Sequence, residues 1–301
     1  MLHSFIVNPK AGRGRVRRLI ATLEQAVRDQ KLDYRLVVTE RPGHATELAR
    51  SAVAQGAGAV VAVGGDGTVN EVLNGLDGET ALGIVPVGAG NDIARNIGLP
   101  VDDWRAVLRI IAAGQVVRAD VGRCGDRRFL SVAGTGLDSR VAMTFNRLPV
   151  RLRYRSAYAA FVFTHLLTGR PSTFRLVVDG ETIERDGWLV AVANTECYGG
   201  GMRVAPHARP DDGRLHVCLV SDGPRMEFAR AFPLVYRGDH LSHPMVHSFE
   251  AKAIDLSSSR ASPVTTDGEH IGWLPASITV EPQAVAIFSP QRSASPVSAD
   301  G

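Results

Sequence analysis

The sequence predicts two domains: an α/β domain built on a parallel sheet over residues 1–120, and a β-sandwich or barrel over residues 121–290. The 301 residues suffice for two cores at ~150 residues per domain. Short apolar runs alternate with amphipathic helical patterns before residue 120, whereas strand-like patterns dominate after it. Residues 291–301 are Ser, Ala, Pro and Asp-rich with little to pack, which predicts a disordered tail.

Four apolar runs in the first domain have the length and composition of buried strands. They are residues 5–7, 36–38, 59–63 and 82–87. Three stretches with apolar residues three and four positions apart predict amphipathic helices, beginning near Val16, Val69 and Trp104. Such a series builds a parallel sheet with right-handed crossovers and places the strand-to-helix loops along one sheet edge. The loops can therefore bind one ligand jointly.

Seven runs in the second domain predict strands. They are residues 129–133, 174–178, 188–193, 215–220, 253–256, 278–280 and 285–288. Asp179-Gly180 is a hairpin turn signal. One helix is predicted over residues 156–168, apolar on nearly all sides. It follows a group of four arginines, Arg147, Arg151, Arg153 and Arg155.

Composition excludes several classes of protein. Lys plus Arg number 34 against 31 Asp plus Glu, and the resulting net charge of +3 is too small for a chain that coats nucleic acid. The three cysteines are odd in number and widely spaced, so the sequence predicts neither a disulfide framework nor a thiolate metal site. No run reaches the ~18 apolar residues of a membrane-spanning helix, and the N-terminus lacks the apolar region of a signal peptide. We therefore expect a cytoplasmic protein with no nucleic-acid partner.

The glycine loop after residues 59–63 predicts a phosphate site. Gly64-Gly65-Asp66-Gly67 is followed by Thr68 and Glu71, which have the spacing of a helix capping box with Thr68 as the N-cap. Backbone N–H groups at a helix N-terminus lack intrahelical partners and the helix dipole favours anions, so a phosphate is the natural ligand. The alternative is a tight strand-to-helix turn in which Asp66 only adds solubility.

Two further loops end the first and fourth predicted strands. Residues 8–14 contain Lys10, which lies between Asn8 and Gly12. Residues 86–92 contain Gly88, Gly90, Asn91 and Asp92. Together the three loops predict a cradle for nucleotide phosphates. None matches the P-loop pattern Gly-x-x-x-x-Gly-Lys-Ser/Thr, and no Gly-x-Gly-x-x-Gly follows the first strand, so neither a P-loop NTPase nor ordinary dinucleotide binding is favoured.

These motifs resemble the diacylglycerol kinase catalytic domain family of bacterial lipid kinases, which is related to sphingosine and ceramide kinases. The resemblance rests on six segments and Pro206, which together span nearly the whole chain up to the tail. The segments are residues 8–12, 64–72, 88–95, 193–201, 211–215 and 267–269. It implies an α/β ATP-binding domain like that of NAD kinases and diacylglycerol kinases, a β-sandwich domain, and an active site in the cleft between them.

The resemblance also implies roles for individual residues. Glu269 would accept the proton of the acceptor hydroxyl, and Asp66 would position Mg²⁺ and ATP. The remaining nucleotide site would comprise Asn8, Lys10, Thr39, Gly65, Gly67, Thr68, Asn70, Glu71, Ala89 and Asn91. Asp212, with the backbone carbonyls of Arg209 and Arg214, would hold a structural Mg²⁺. The family usually has Thr where this chain has Ala89, so one hydroxyl contact to ATP is missing.

Three functions remain open at this stage. The first is an ATP-dependent kinase of a lipid hydroxyl, diacylglycerol-like, acting at the membrane surface. The second is an NAD kinase, which shares the Gly-Gly-Asp-Gly loop, and the third is a catalytically silent lipid-binding relative, which Ala89 favours. Arg147 to Arg155 with the following helix indicate either an anchor on anionic membrane, where Tyr158, Phe161 and Phe163 reach acyl chains, or a buried core helix. Homodimerisation is left open.

Overall fold

The computed structural model describes residues 1–149 and 155–290, without the side chain of Arg155. Arg151, Arg153 and the tail over residues 291–301 lie outside the described residues, so the predictions made for them stay predictions.

The first part of the chain alternates strands and helices. Its strands are β1 (His3–Val7), β2 (Tyr34–Val38), β3 (Ala59–Gly64) and β4 (Ala81–Pro86). Its helices are α1 (Val16–Asp29), α2 (His44–Ala54), α3 (Asp66–Leu73), α4 (Asp92–Asn96) and α5 (Trp104–Ala113). The strands pair in the order β4-β3-β1-β2, all parallel, which confirms the predicted sheet. Because β3 and β4 are buried along their whole length, both read as continuous apolar runs in the sequence.

The second part is rich in antiparallel strands. Its strands are β5 (Val116–Cys124), β6 (Arg127–Phe129), β7 (Val132–Gly136), β8 (Ser172–Val178), β9 (Glu181–Ala193), β10 (Leu215–Ser221), β11 (Val246–Ala251), β12 (Ala253–Ser258), β13 (Pro263–Thr266), β14 (Glu269–Trp273) and β15 (Ala276–Phe288). Its helices are α6 (Leu137–Arg147), α7 (Arg155–Thr168) and α8 (Arg225–Ala231). The predicted hairpin at Asp179-Gly180 is confirmed: Val178 pairs with Glu181, and both turn residues have positive φ.

Two of the predicted strand boundaries are wrong. The run over residues 129–133 is interrupted between β6 and β7, because the backbone N–H groups of Leu130 and Ser131 donate to the Asp267 carboxylate instead of a neighbouring strand. The runs over 278–280 and 285–288 form one strand, β15, whose register against β5 shifts between Glu281 and Val285. Four strands, β5, β11, β13 and β14, were not predicted.

Strand β15 links the two parts of the fold. Its first half pairs antiparallel with β12, its second half pairs parallel with β4 at Ile287, and both halves pair antiparallel with β5. Val285, Ile287 and Phe288 are at most 1% exposed and pack in the core that also contains Phe5. The sheet is therefore continuous from β2 to β14, and residues far beyond position 120 pack in the first core.

Helix α7 is buried along one face only. Val162 and Leu166 pack with Trp188 and Phe228, whereas Phe163 is 40% and Leu167 is 67% exposed. Within residues 1–149 and 155–290, no helix combines the length and apolar character needed to cross a bilayer.

Candidate active site

The three glycine loops lie side by side at the carboxyl edge of the parallel sheet. A Cβ added to Gly88 would lie 2.4 Å from the Cα of Gly65, so these two loops pack backbone against backbone. A Cβ on Gly12, whose φ is +57°, would lie 2.4 Å from the carbonyl oxygen of Val87. Larger residues would push the loops apart, which explains glycine at these positions.

A cleft of about 790 Å³ opens over these loops and is lined from both parts of the chain. Most of the predicted site residues line it, namely Asn8, Lys10, Thr39, Gly65, Asp66, Gly67, Thr68, Asn70, Glu71, Ala89 and Glu269. Asn91 is buried instead, and its Oδ1 accepts the backbone N–H of Gly88 at 2.9 Å. Asn91 therefore stabilises the backbone of the loop at Gly88 and does not line the cleft.

The predicted capping box at Thr68 and Glu71 is wrong. Helix α3 begins at Asp66, and Thr68 Oγ1 accepts a hydrogen bond from Asn8 Nδ2 at 3.0 Å. The Glu71 carboxylate accepts the backbone N–H groups of Gly43 at 3.0 Å and Ala45 at 3.1 Å. These N–H groups begin helix α2 and lack intrahelical partners, so Glu71 caps the neighbouring helix rather than its own.

Asp66 and Asp92 bring two carboxylates together beside the glycine loops. Asp66 Oδ1 accepts the backbone N–H of Ile93 at 3.0 Å. Burial, and next the charge of Asp92, raise the pKa of Asp66 to about 6. Asp92 is 5% exposed and accepts the backbone N–H of Gly200 as well as a hydrogen bond from Arg95. Asp92 belongs to a predicted loop but was not predicted as a site residue.

A third carboxylate, Asp267, connects the two parts of the chain. It accepts Asn70 Nδ2 at 2.8 Å and the backbone N–H groups of Leu130 and Ser131. Burial raises the pKa of Asp267. Asn70 is 1% exposed and also donates to the carbonyl of Arg128, so its amide holds helix α3 against the second part of the chain.

Glu269 is exposed and faces the glycine loop. Asp267 and Gly268 both have positive φ and form a two-residue turn between β13 and β14, where Thr266 pairs with Glu269. The Oε1 atom of Glu269 lies 3.5 Å from the position that a Cβ on Gly67 would occupy. The hairpin thus places a carboxylate directly opposite the first turn of α3.

The other part of the cleft contains a buried carboxylate with two tyrosines. Tyr158 Oη donates to Asp138 Oδ1 at 2.8 Å, and Tyr198 also hydrogen-bonds to this carboxylate. Burial raises the pKa of Asp138. Phe145 packs edge-on against Tyr158. This group was not predicted from the sequence. Tyr158, which would reach acyl chains if its helix were a membrane anchor, directs its hydroxyl to Asp138.

The predicted structural Mg²⁺ site lies outside the cleft, in the loop before β10. Asp212 Oδ1 accepts the backbone N–H of Arg214 at 2.9 Å, and Arg209 pairs with Asp211. Over the described parts of the chain, no group of three or more His, Cys, Asp or Glu side chains is arranged to hold a metal ion. The roles of Arg209, Asp212 and Arg214 as metal ligands stay predictions.

Comparison with known proteins agrees with this architecture. Residues 3–124 match the diacylglycerol kinase catalytic domain, and residues 131–289 match the YegS C-terminal NAD kinase beta sandwich-like domain. A diacylglycerol kinase of Mycobacterium tuberculosis is 34% identical over 297 residues, covering 95% of this chain and 94% of that protein. One of Staphylococcus saprophyticus is 30% identical over 291 residues, with the same coverage of both chains.

A crystal structure of a diacylglycerol kinase from Bacillus anthracis superposes with a TM-score of 0.79 at 25% identity, covering 96% of both chains. The fold and the cleft thus define a two-domain kinase, with glycine loops on an α/β sheet and a β-sandwich facing them. The chain belongs to the diacylglycerol kinase family of lipid kinases. The resemblance and the fold class predicted from the sequence are confirmed.

Proposed function

We propose that this kinase transfers the γ-phosphate of ATP to the free hydroxyl of a diacylglycerol-like lipid at an anionic membrane surface. The observation that carries the proposal is the convergence of Asp66, Asp92 and Glu269 on the glycine loops within one cleft. Phosphoryl transfer depends mainly on positioning and on neutralising the charge of the transferred group. Glycine loops that can hold phosphates, a pair of carboxylates that can bind a metal ion and a separate exposed carboxylate support this function.

Asp66 and Asp92 fit a magnesium ion bound together with a nucleotide. The two carboxylates repel each other, since the charge of Asp92 raises the pKa of Asp66, and a divalent cation would relieve this repulsion. Mg²⁺ commonly takes one or two protein carboxylates and completes its shell with substrate phosphates and water. The ion would neutralise the phosphates, while the glycine loops and Lys10 hold their oxygens.

Glu269 is the proposed general base. Its carboxylate is exposed in the cleft and lies close to Gly67, so an acceptor hydroxyl placed between them would meet both the base and the phosphate loop. Asp138, Tyr158 and Tyr198 line the cleft together with Ala142 and Phe145, and they offer polar contacts to a glycerol backbone beside apolar contacts to its chains.

The proposed function is tested by incubating the protein with radiolabelled ATP and Mg²⁺ and a panel of acceptors. Dioctanoylglycerol, ceramide, sphingosine and NAD represent the alternative substrates. We expect label on dioctanoylglycerol and none on NAD. Label on NAD alone would contradict the lipid assignment. Lipid binding without any transfer would support the catalytically silent relative that Ala89 favours.

Restoring the family's hydroxyl at position 89 is expected to improve nucleotide binding. Ala89 is exposed in the cleft between Gly88 and Gly90, so a threonine there can reach a phosphate without displacing the loop. A hydrogen bond to a charged group contributes ~1.5–3 kcal/mol, so Ala89→Thr should lower the KM for ATP by about ten-fold or more. Ala89→Val adds the same bulk without the hydroxyl and should not lower it. A raised KM in the folded threonine variant would place this loop away from the nucleotide.

The structural Mg²⁺ site is tested by melting curves without nucleotide. If Asp212 holds Mg²⁺ in the native state alone, added Mg²⁺ should raise the melting temperature of the unmodified protein, and Asp212→Ala should lose that rise. Asp211→Ala removes the neighbouring carboxylate, which pairs with Arg209, and should keep the rise. An unchanged Mg²⁺ response in Asp212→Ala would remove Asp212 from the metal site.

A further inference from the structure

A second pocket lies on the opposite face of helix α6 from the active-site cleft. Its volume is about 520 Å³, and we call it the arginine pocket. Asp138, Ala142 and Phe145 on α6 line the cleft. The arginine pocket is lined by the other face of α6, the end of α7 and the neighbouring strands, including Arg140, Arg147, His165, Arg170, Trp188, Arg260, Ser262 and Trp273. One helix therefore separates the two cavities.

The charge of the arginine pocket is strongly positive. Arg140, Arg147, Arg170 and Arg260 line it, and its described lining residues include no Asp or Glu. Within the described ranges, none of these guanidinium groups forms an ion pair, and Arg140 donates to the backbone carbonyl of Ala261 at 2.6 Å. Four unneutralised guanidinium groups around one cavity are arranged to bind a multiply charged anion.

Two ring side chains that line the arginine pocket, His165 and Trp188, also favour a bound anion. Burial, and next the positive charge of Arg140, lower the pKa of His165, as expected for a ring in an uncompensated positive field. Trp188 is 4% exposed, and its indole Nε1 has no hydrogen-bond acceptor among the residues that the structure describes. A buried N–H group without an acceptor is costly, and an oxygen of a bound anion is the kind of acceptor it lacks.

The rim of the arginine pocket is apolar and exposed. Trp273 lines the pocket and is 52% exposed, and Leu167, next to the pocket residue Thr168, is 67% exposed. Met226 on α8 is 64% exposed and follows Arg225, whose guanidinium donates to the carbonyl of Gly169 at the pocket. Basic groups beside exposed apolar side chains are typical of a membrane interface, whereas a site for a free anion needs no apolar rim.

We propose that the arginine pocket binds the phosphate of an anionic phospholipid headgroup, while Leu167, Met226 and Trp273 contact the acyl region of the bilayer. The binding site itself does not depend on the kinase reaction. Its benefit to catalysis rests on the proposed function: because α6 lines both cavities, a headgroup held in the pocket keeps the active-site cleft at the membrane surface, where a diacylglycerol-like substrate resides.

The test compares two double variants of equal charge change. Arg170→Gln with Arg260→Gln removes two pocket guanidinium groups for which the structure shows no hydrogen bond or ion pair with another described side chain. Arg17→Gln with Arg18→Gln removes two exposed arginines from helix α1 in the other part of the fold. Sedimentation with phosphatidylcholine vesicles, with and without phosphatidylglycerol, measures the partition of each protein at several salt concentrations.

The pocket double variant should bind phosphatidylglycerol vesicles about thirty-fold more weakly than the unmodified protein, as expected for two lost basic contacts. The α1 double variant should bind within about two-fold of it. Melting curves of both should match the unmodified protein, and both should phosphorylate dioctanoylglycerol in nonionic detergent at the unmodified rate. Equal vesicle binding by the two double variants would overturn the proposal.

A free anion is distinguished by a second arm with inorganic phosphate. If phosphate, at ionic strength matched with KCl, raises the melting temperature of the unmodified protein only, while vesicle binding does not depend on Arg170 and Arg260, the pocket serves a soluble anion and the lipid assignment is overturned. Should the kinase assay fail while vesicle binding requires the two arginines, the proposed function fails and the headgroup site stands.

Discussion

Replacing Asp66 with asparagine is expected to abolish most phosphoryl transfer and at the same time to stabilise the folded protein above pH 6. Burial and the neighbouring Asp92 raise the pKa of Asp66 from 3.8 to about 6. A carboxyl whose folded pKa exceeds its unfolded pKa stabilises the fold below the unfolded value and loses that contribution as the pH rises through the folded value. At neutral pH the ionised Asp66 therefore destabilises the fold, by about 3 kcal/mol at ~1.4 kcal/mol per pKa unit.

Asparagine removes this penalty because it carries no charge and can still accept the N–H of Ile93. With EDTA and without nucleotide, Asp66→Asn should melt several degrees higher than the unmodified protein at pH 8. The difference should shrink as the pH falls towards 4. Asp77 is the matched control in the same part of the fold. Its pKa is lowered by the backbone N–H of Thr80, so Asp77→Asn should destabilise the protein at pH 8.

The same substitution should lower kcat by at least about 10²–10³-fold, the loss expected when a preorganised electrostatic group is removed. With ATP present, Mg²⁺ should raise the melting temperature of Asp66→Asn less than that of the unmodified protein, because the shared metal and nucleotide site is impaired. Without nucleotide, the Mg²⁺ response through the loop at Asp212 should persist. If a folded Asp66→Asn protein turned over as fast as the unmodified protein, Asp66 would not belong to the metal and nucleotide site.

The parts of the fold that local patterns encode were predictable from the sequence. Residues 59–63 are an apolar run bounded by glycine. Strand β3 is buried on both faces, and an apolar run is the sequence pattern that such a strand produces. The loops could be placed at one sheet edge because parallel strands with helical crossovers leave no other arrangement. The Asp179-Gly180 hairpin was predictable for a similar reason, since its turn geometry selects those two residue types.

The contacts that complete the site connect residues far apart in the chain. Asn70 and Asp267 are separated by 197 positions, and no periodicity relates them. The position of Glu71 fits a local capping box. Its carboxylate nevertheless accepts hydrogen bonds from the backbone N–H groups at the start of α2. A capping-box spacing describes only hydrogen bonds within one helix. It therefore cannot predict that a carboxylate accepts hydrogen bonds from a neighbouring helix.

Strands β13 and β14 escaped prediction because they are short and partly polar. Thr265, Thr266 and Glu269 carry no alternation that distinguishes a strand from a loop. Asp267-Gly268 is the same two-residue turn signal as Asp179-Gly180, and reading it as a hairpin would have identified both strands and the orientation of Glu269. The turn residues were therefore more informative here than hydrophobicity.

Replacing Glu269 with glutamine is expected to lower kcat by about 10²–10⁴-fold, the range for a lost general base. Glu269 is exposed, so its charge contributes little to the fold, and the hairpin that holds it depends on Asp267 and Gly268 rather than on its own side chain. Glutamine keeps the shape and the polar contacts but cannot accept a proton at neutral pH. The binding of ATP should therefore remain unchanged, because this carboxylate acts on the acceptor hydroxyl and not on the nucleotide.

The measurement combines steady-state kinetics on dioctanoylglycerol with ATP titration and melting curves. Glu184→Gln serves as the control, since this exposed carboxylate lies on β9 outside the cleft and should leave kcat within about two-fold. A loss confined to kcat, with the dissociation constant of ATP and the melting temperature unchanged, supports a base that acts only during the reaction. If Glu269→Gln instead melts early or loses ATP binding while kcat at saturation persists, the carboxylate supports the fold or the nucleotide, and another group must accept the proton.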